Sequence, residues 1–354
     1  MMNIRLSKNS KILLSCDLHF NIQIKSNNFL IHMKNMVDEI LESAKKEKVD
    51  CIILLGDIFD TRNIIASVPL FFINDLIYKL SSKFPLILIE GNHEKYLSND
   101  NQSISFLDNY KNWNNVEVVN KIEKINIGKD IQFIFMPYMT KNQKTINSIQ
   151  IEKENTYLFS HFGVASFLMN DNYSSNMNQE NIVSIKSLSK FKHVYLGHYH
   201  GYQDKKNITY CSAPLQSKFG DESSKHGWVI LDLKNETHEF IENKVTPQFI
   251  TLELNKENID KMLNLENHFI RIVITNKKFS NTQLYKLKTK LLKNNYEVKF
   301  HYDIQSTQTI STIEGWSEII FKNESELLKG FLTELEKEKK LKYDKQELIQ
   351  LLEI

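Results

Sequence analysis

Five short polar clusters each follow directly on an apolar run in this 354-residue chain: Asp17-Leu18-His19, Gly56-Asp57-Ile58-Phe59-Asp60, Gly91-Asn92-His93-Glu94, Ser160-His161 and Gly197-His198-Tyr199-His200. They hold five of the eleven histidines. Imidazole nitrogens with carboxylate and amide oxygens, and no thiolate, suit Mn, Fe or Zn and disfavour a closed structural zinc site. One carboxylate can bridge two ions, and two ions about 3.5–4 Å apart clamp a phosphate and activate water for in-line attack. Glycines at three of the exits let the chain turn sharply toward such ions.

Taken singly, the pieces differ in weight. Asp-x-His and Gly-Asp-x-x-Asp are common in solvated loops and turns. A lone histidine such as His161 more often satisfies a core hydrogen bond than binds metal. Gly-Asn-His-Glu is more specific. Gly-His-x-His at a strand end is more specific still, because alternate strand residues face opposite sides and would leave one histidine in the core. The five together, in this order and each at a strand end, point to one site.

The elements that must position these clusters are legible as short apolar runs. Residues 11–16, 51–55 and 86–89 read as strands. Residues 28–46 carry helical spacing (Phe29, Met33, Met36, Val37, Ile40, Leu41, Ala44), and 68–80 form a second helix. Further strands are expected at 131–136, 157–160, 193–196, 208–211 and 228–233. Strands alternating with helices predict a layered α/β fold with a largely parallel stretch of sheet, which gathers the clusters at its carboxyl edge. The texture changes near 245–247. Strands at 249–254, 269–275 and 297–302 with a helix at 281–292 predict a small α+β unit. A strand-like 319–321 and amphipathic helices at 324–339 and 345–353 follow, Asp344 and Glu347 forming a capping-box pattern before the last.

Composition sets the outer bounds. Hydrophobic content of 41% and charged content of 25% exclude wholesale disorder. Lys+Arg 45 less Asp+Glu 43 leaves +2, so any nucleic-acid binding must use a local basic patch. Cys16, Cys51 and Cys211 are too few and too scattered for a disulfide framework or a CxxC site. No apolar run reaches the roughly 18 residues needed to cross a bilayer, and residues 1–10 lack the apolar core of a signal peptide. The expected location is cytoplasmic, or the host cytoplasm for a phage protein.

Over residues 10–235 these motifs resemble the calcineurin-like metallophosphoesterase superfamily. Within it, Gly56-Asp57-Ile58-Phe59-Asp60-Thr61-Arg62, and later Tyr210, Ser212, Ala213-Pro214, Phe219-Gly220 and Gly227-Trp228, resemble SbcD-type DNA repair and recombination nucleases, above all the recombination endonuclease subunit of large phages. The resemblance implies a four-layer α/β/β/α sandwich over residues 1–245, a DNA-binding capping domain over 246–315 and a helical partner-binding tail over 316–354. It implies that Asp17, His19 and His200 hold one metal ion, that Asn92, His161 and His198 hold a second, and that Asp57 bridges them. His93 would protonate the leaving 3′ oxygen as general acid, with Asp60 hydrogen-bonding it to set its tautomer; for Asp60 a capping or turn role weighs equally. Two Mn²⁺ ions are the implied cofactors, with Mg²⁺, Fe²⁺ or Zn²⁺ as alternatives.

The implied activity is duplex exonuclease and single-strand endonuclease action on DNA, under an SMC-like ATPase of the SbcC type that the tail helices would bind. A homodimer through the helices at 28–46 and 68–80 is also implied; simple core packing is the plain alternative for both. The rival on the same fold is a phosphatase or small-molecule phosphodiesterase. Against the phosphatase stands Glu90, in the place of the phosphate-binding Arg before Gly-Asn-His-Glu, where it would repel a dianion. Against a small phosphodiesterase stands the extension of more than a hundred residues after 233. A metal-free scaffold is disfavoured because every ligand type is present. Lys277, Lys278, Lys286, Lys288, Lys290 and Lys293 are candidate phosphate contacts, although each alone reads as an ordinary solvated lysine, as do Lys186, Lys190 and Lys192.

Overall fold

A computed structural model describes residues 4–20, 27–62, 64–97, 103–170, 173–174, 182–275 and 279–302. The chain forms two compact units, Met1–Pro247 and Gln248–Ile354. In chain order the principal elements of the first are β1 (Lys11–Ser15), α1 (Asn27–Glu47), β2 (Cys51–Leu54), α2 (Ser67–Ser81), β3 (Leu86–Ile89), β4 (Val116–Val119), β5 (Glu123–Ile127), β6 (Ile131–Met136), β7 (Asn155–His161), β8 (His193–Gly197), β9 (Gln203–Lys205), β10 (Ile208–Tyr210), β11 (Gly227–Asp232) and β12 (Thr237–Glu242). Those of the second are β13 (Phe249–Glu253), α3 (Lys256–Leu263), β14 (Phe269–Ile274), α4 (Asn281–Leu291) and β15 (Glu297–Tyr302).

The first unit stacks two six-stranded sheets. One has the order β12-β11-β1-β2-β3-β4, the other β9-β10-β8-β7-β6-β5. β1 to β4 run parallel, as do β6, β7, β8 and β10, while the antiparallel partners β11, β5 and β9 flank them. Ile12, Leu14, Ile53 and Ile87 of the first sheet pack with Phe133, Phe135, Phe159 and Tyr195 of the second in one buried core. The alternate residues Ile134, Leu158, Val194 and Leu196 face outward into another core with Ile146 and Leu188. On the first sheet's side, Met36, Ile40 and Ala44 of α1 and Ile73, Leu76 and Leu80 of α2 are buried. Both faces of each sheet are therefore covered, which makes a four-layer α/β/β/α sandwich. It also explains why the parallel strands read as unbroken apolar runs.

β4, β5 and β12 escape sequence inspection because they lie toward the sheet edges and carry polar residues. The pattern of β12, Thr-His-Glu-Phe-Ile-Glu, is largely solvent-facing. In the second unit β14 lies between β13 and β15, all three parallel. Parallel neighbours need crossovers, here α3 and α4, and α4 begins with a Ser280/Gln283 capping box. Met262, Ile270, Ile272, Leu284, Leu291 and Val298 form its core. The expected strand at 319–321, the helices at 324–339 and 345–353, the Asp344/Glu347 cap, and Lys277 and Lys278 lie outside the described residues. None of the described helices is long and apolar enough to cross a membrane.

Candidate metal centre

All five polar clusters leave carboxyl ends of parallel strands or the turns that follow. β1 ends at Ser15, and the chain then turns through Asp17 (φ 53°) and His19 (φ 42°). β2 leads into Gly56 (φ 91°) and Asp57 (φ 53°), and β8 into His198 (φ 99°). Left-handed backbone at non-glycine residues costs energy and concentrates where a site over-determines it. The cost here is borne by main-chain pairing between turns. Asp17 N–H donates to the Gly56 carbonyl (3.0 Å), and His19 N–H to that of Asp57 (3.1 Å).

The turn after β8 also settles how two alternate histidines reach one side. His198 and His200 lie beyond the strand's extended end, while Tyr199 between them is buried in the outer core. Asp17 accepts from His198 N–H (2.9 Å). Ala213 N–H and the Ser212 hydroxyl both reach the His200 carbonyl at 2.9 Å.

Glycine is required where the turns touch. A Cβ on Gly91 would stand 2.3 Å from Asp57 Oδ1, and one on Gly56 would stand 2.7 Å from both the Gly91 Cα and His161 Nδ1. Glu94, absent from the sequence-based site, fastens these turns. Its buried carboxylate accepts from the main-chain N–H groups of Asp57 (2.9 Å), Phe59 (3.0 Å) and Gly91 (2.8 Å). Burial, and then the charge of Asp57, pushes Glu94 up to about 7. Its presence in the Gly-Asn-His-Glu motif was the only sequence signal, and composition gives no hint of three main-chain partners.

The side chains gather in three overlapping groups. Ligand atoms of Asp17, His19 and His200 lie within 4.8 Å of one another, as do those of Asp57, His161 and His198, and those of His19, Asp57 and His93. Asn92 Oδ1 lies 3.2 Å from His161 Nε2 and 3.0 Å from His198 Nδ1. Asp57 Oδ2 lies 3.2 Å from His161 Nε2, 3.8 Å from His19 Nε2 and 3.9 Å from His93 Nε2. It is thus the carboxylate shared by two of the three groups.

His161 carries the clearest sign of what the site wants. Fully buried, it donates Nδ1–H to the Leu55 carbonyl at 2.7 Å. Its Nε2 then faces the oxygens of Asp57 and Asn92, both at 3.2 Å, and Asp17 Oδ1 at 4.0 Å. A lone pair aimed at oxygen acceptors needs a cation between them, a proton or a metal ion, and a carbonyl on the other ring nitrogen is the usual partner of a metal-binding imidazole.

The electrostatics agree. Burial opposes charge on His161, yet Asp57 and Asp17 outweigh it and hold the imidazole at about 9. Burial likewise opposes charge on His19, but contacts to Asp17 and Asp60 raise it to about 10. Asp17 and Asp57 are pressed far below the carboxylate range, burial being overcome by His19 and His161. His198 falls to about 4 through burial and the charge of His161. The buried carboxylates of Asp17 and Asp57 thus draw positive charge onto the imidazoles beside them.

Two other expectations meet specific geometry. His93 Nδ1 does bond Asp60, but the partner is the main-chain carbonyl at 2.5 Å. The Asp60 carboxylate lies 3.4 Å from His19 Nδ1, and this contact, ahead of burial, lowers its pKa. Glu90 is buried, 1% exposed, with Oε2 3.8 Å from Lys95 Nζ. Burial raises the Glu90 pKa above the ordinary carboxylate value. Lys190 is engaged by the carbonyls of Ile146 and Ile149 at 2.6 Å, and Lys192 by Glu236 at 2.7 Å.

A sequence model described as calcineurin-like phosphoesterase matches residues 10–202. Exonuclease subunit 1 of Enterobacteria phage T4 is 27% identical over 215 residues, covering 59% of this chain and 61% of that protein. The alignment thus spans less than two thirds of the phage relative. A subunit of the nuclease SbcCD from Staphylococcus saprophyticus is 24% identical over 269 residues, 69% of each chain. A solved dimetal phosphatase from Danio rerio aligns over 63% of this chain and 92% of its own at 10% identity, with a TM-score of 0.39 that carries no weight by itself. The family match runs through β1, β2, β3, β7 and β8 with all five clusters and covers more than half of the residues, and on that ground the chain belongs to the calcineurin-like phosphoesterase family.

Proposed function

We propose that this chain is the nuclease subunit of a DNA repair or recombination complex, hydrolysing DNA phosphodiesters with two divalent ions, Mn²⁺ foremost. The observation that carries the reading is the buried Asp57 carboxylate shared by His161, His19 and His93, with acceptor oxygens converging on His161 Nε2. The relatives named as an exonuclease subunit and a nuclease subunit supply the substrate class.

In this proposal Asp17, His19 and His200 hold one ion, Asn92, His161 and His198 hold the other, and Asp57 serves both. Bound there, such ions neutralise the phosphate oxygens and supply an activated water for in-line attack. Asp60 orients His19 through Nδ1, leaving Nε2 toward Asp17 and Asp57. The Leu55 carbonyl does the same for His161. His93 stands at the open side with 29% of its side chain exposed, its ring edge-on to His19 at 4.8 Å. With Nδ1–H held by the Asp60 carbonyl, protonated His93 presents Nε2–H to the leaving 3′ oxygen and acts as general acid.

Partners belong to the same proposal. An SbcC-type ATPase would direct exonuclease action on duplex ends and endonuclease action on single strands, and the second unit would cap the DNA. Lys286, Lys288, Lys290 and Lys293 on and after α4 are the phosphate contacts proposed for it. A homodimer is proposed through α1 and α2. Its support is an exposed apolar stripe: Ile64 (80% exposed), Val68, Phe71 (66%) and Tyr78 (65%), with Ile31 on α1. Residues 68, 71 and 78 recur at helical spacing on one face of α2.

The test is Mn²⁺-dependent cleavage of end-labelled linear duplex and circular single-stranded DNA, with a phosphomonoester as control. DNA cleavage without phosphomonoester turnover is expected. The reverse result would move the chain to the phosphatase branch and overturn the nuclease reading.

A further inference from the structure

A second histidine–carboxylate cluster lies at the other end of β8. His193 opens that strand, Asp204 lies in β9 and His238 in β12, and one ligand atom from each falls within 4.8 Å of the others. Gly197 lies four positions after His193. At about 3.3 Å per residue this puts the cluster roughly 13 Å down the strand from the turn that carries His198 and His200. The three side chains belong to neither the ligand set nor the acid of the proposed reaction.

Its geometry fits a metal site. His238 Nε2 and an Asp204 carboxylate oxygen are 3.4 Å apart. Ligands at 2.0–2.1 Å on a tetrahedral ion are separated by about 3.3–3.4 Å, so this pair already spans one edge of such a site. The outer groups are also in place. The Tyr195 hydroxyl lies 3.3 Å from His238 Nδ1, which fixes that nitrogen as the hydrogen-bonding one and frees Nε2. The Thr209 hydroxyl donates to the other Asp204 oxygen at 2.8 Å and lies 2.8 Å from His193 Nε2. Asp204 is 40% exposed on its side chain, which gives an ion a path from solvent.

We propose that His193, Asp204 and His238 bind a zinc-class divalent ion, separate from the centre at the strand exits, with water completing the coordination. Two imidazoles, one carboxylate and no thiolate suit Zn²⁺ over Mg²⁺ or Ca²⁺. The site has a defined place in the fold. His193 and Asp204 come from the sheet containing β8 and β9, and His238 from an edge strand of the facing sheet. The ion therefore clasps the two sheets, and it acts on stability.

The test counts ions on the full chain. Protein loaded with Mn²⁺ is mixed with micromolar ZnCl₂, desalted, and analysed for Mn and Zn by atomic emission. Three ions per chain are expected in wild type and two in Asp204→Asn and His238→Gln, with a zinc-induced rise in the thermal midpoint present only in wild type. Equal totals in all three proteins, with equal midpoint shifts, would overturn the proposal. Should either variant fail to fold, wild-type crystals soaked in ZnCl₂ and measured at the zinc edge decide it. An anomalous peak among the three side chains supports the site, and its absence there overturns it.

Discussion

Glu94→Ala is the perturbation that most sharply tests how the turns are held. The carboxylate accepts from three buried main-chain N–H groups, those of Asp57, Phe59 and Gly91. Each donor left without a partner costs about 1–3 kcal/mol, so the variant loses roughly 3–9 kcal/mol, with about 5 as the central expectation. For a unit of this size that corresponds to a thermal midpoint lower by about 10–20 °C. Glu94→Gln is the milder control. Its amide oxygen can serve Asp57 and Gly91, which share one oxygen in the native carboxylate, but its NH₂ faces the Phe59 N–H; about 1.5–3 kcal/mol is expected.

The assay is thermal unfolding of the metal-free chain alongside amide hydrogen exchange at residues 57, 59 and 91. Exchange at those amides should rise first and most in the alanine variant. Mn²⁺ affinity should fall at least tenfold, because Asp57 and Asn92 both sit on the loosened turns. An alanine variant that unfolds within about a degree of wild type, with unchanged protection at the three amides, would refute the reasoning.

Three further expectations follow from the geometry. His93→Ala should slow DNA cleavage by about 10²–10⁴-fold while leaving Mn²⁺ binding nearly intact; a matching loss of metal in calorimetry would make His93 a ligand and not an acid. His161 and His19 have folded pKa values of about 9 and 10, above the ordinary histidine range, so at pH 7 each holds a proton that an incoming ion must displace. Mn²⁺ affinity should therefore rise with pH from 7 to 9, by about tenfold per unit for each proton displaced, and calorimetry in buffers of differing ionisation heat should show proton release; a pH-independent affinity would contradict this. Phe71→Glu combined with Tyr78→Glu places two charges on the exposed face of α2 and should give a monomer by sedimentation velocity, whereas an unchanged sedimentation coefficient would remove that face from the dimer.

What the sequence disclosed followed from burial. Strands covered on both faces, such as Ile52-Ile53-Leu54 and Leu86-Ile87-Leu88-Ile89, leave no choice but continuous apolar residues. Their ends are marked by the polar clusters that follow, Gly56-Asp57 after the first and Gly91-Asn92-His93 after the second. The hidden parts were those whose chemistry depends on a distant partner. Glu94 reads as one more acid until its carboxylate is seen against three amides. Asp60 contributes a carbonyl to His93 and a carboxylate to His19, a division that no spacing rule encodes. His193 and His238 are 45 residues apart and face one another only because two sheets stack. Edge strand β12, polar along most of its length, gave no periodicity to follow.

The central claim is that five strand-end clusters build one two-ion centre. It is tested most directly by anomalous scattering at the manganese edge from crystals of the wild-type chain grown with Mn²⁺. Two peaks are expected, one bounded by Asp17, His19 and His200 and the other by Asn92, His161 and His198, with the Asp57 carboxylate in contact with both. A single peak, or ions bound away from Asp57, would contradict the account.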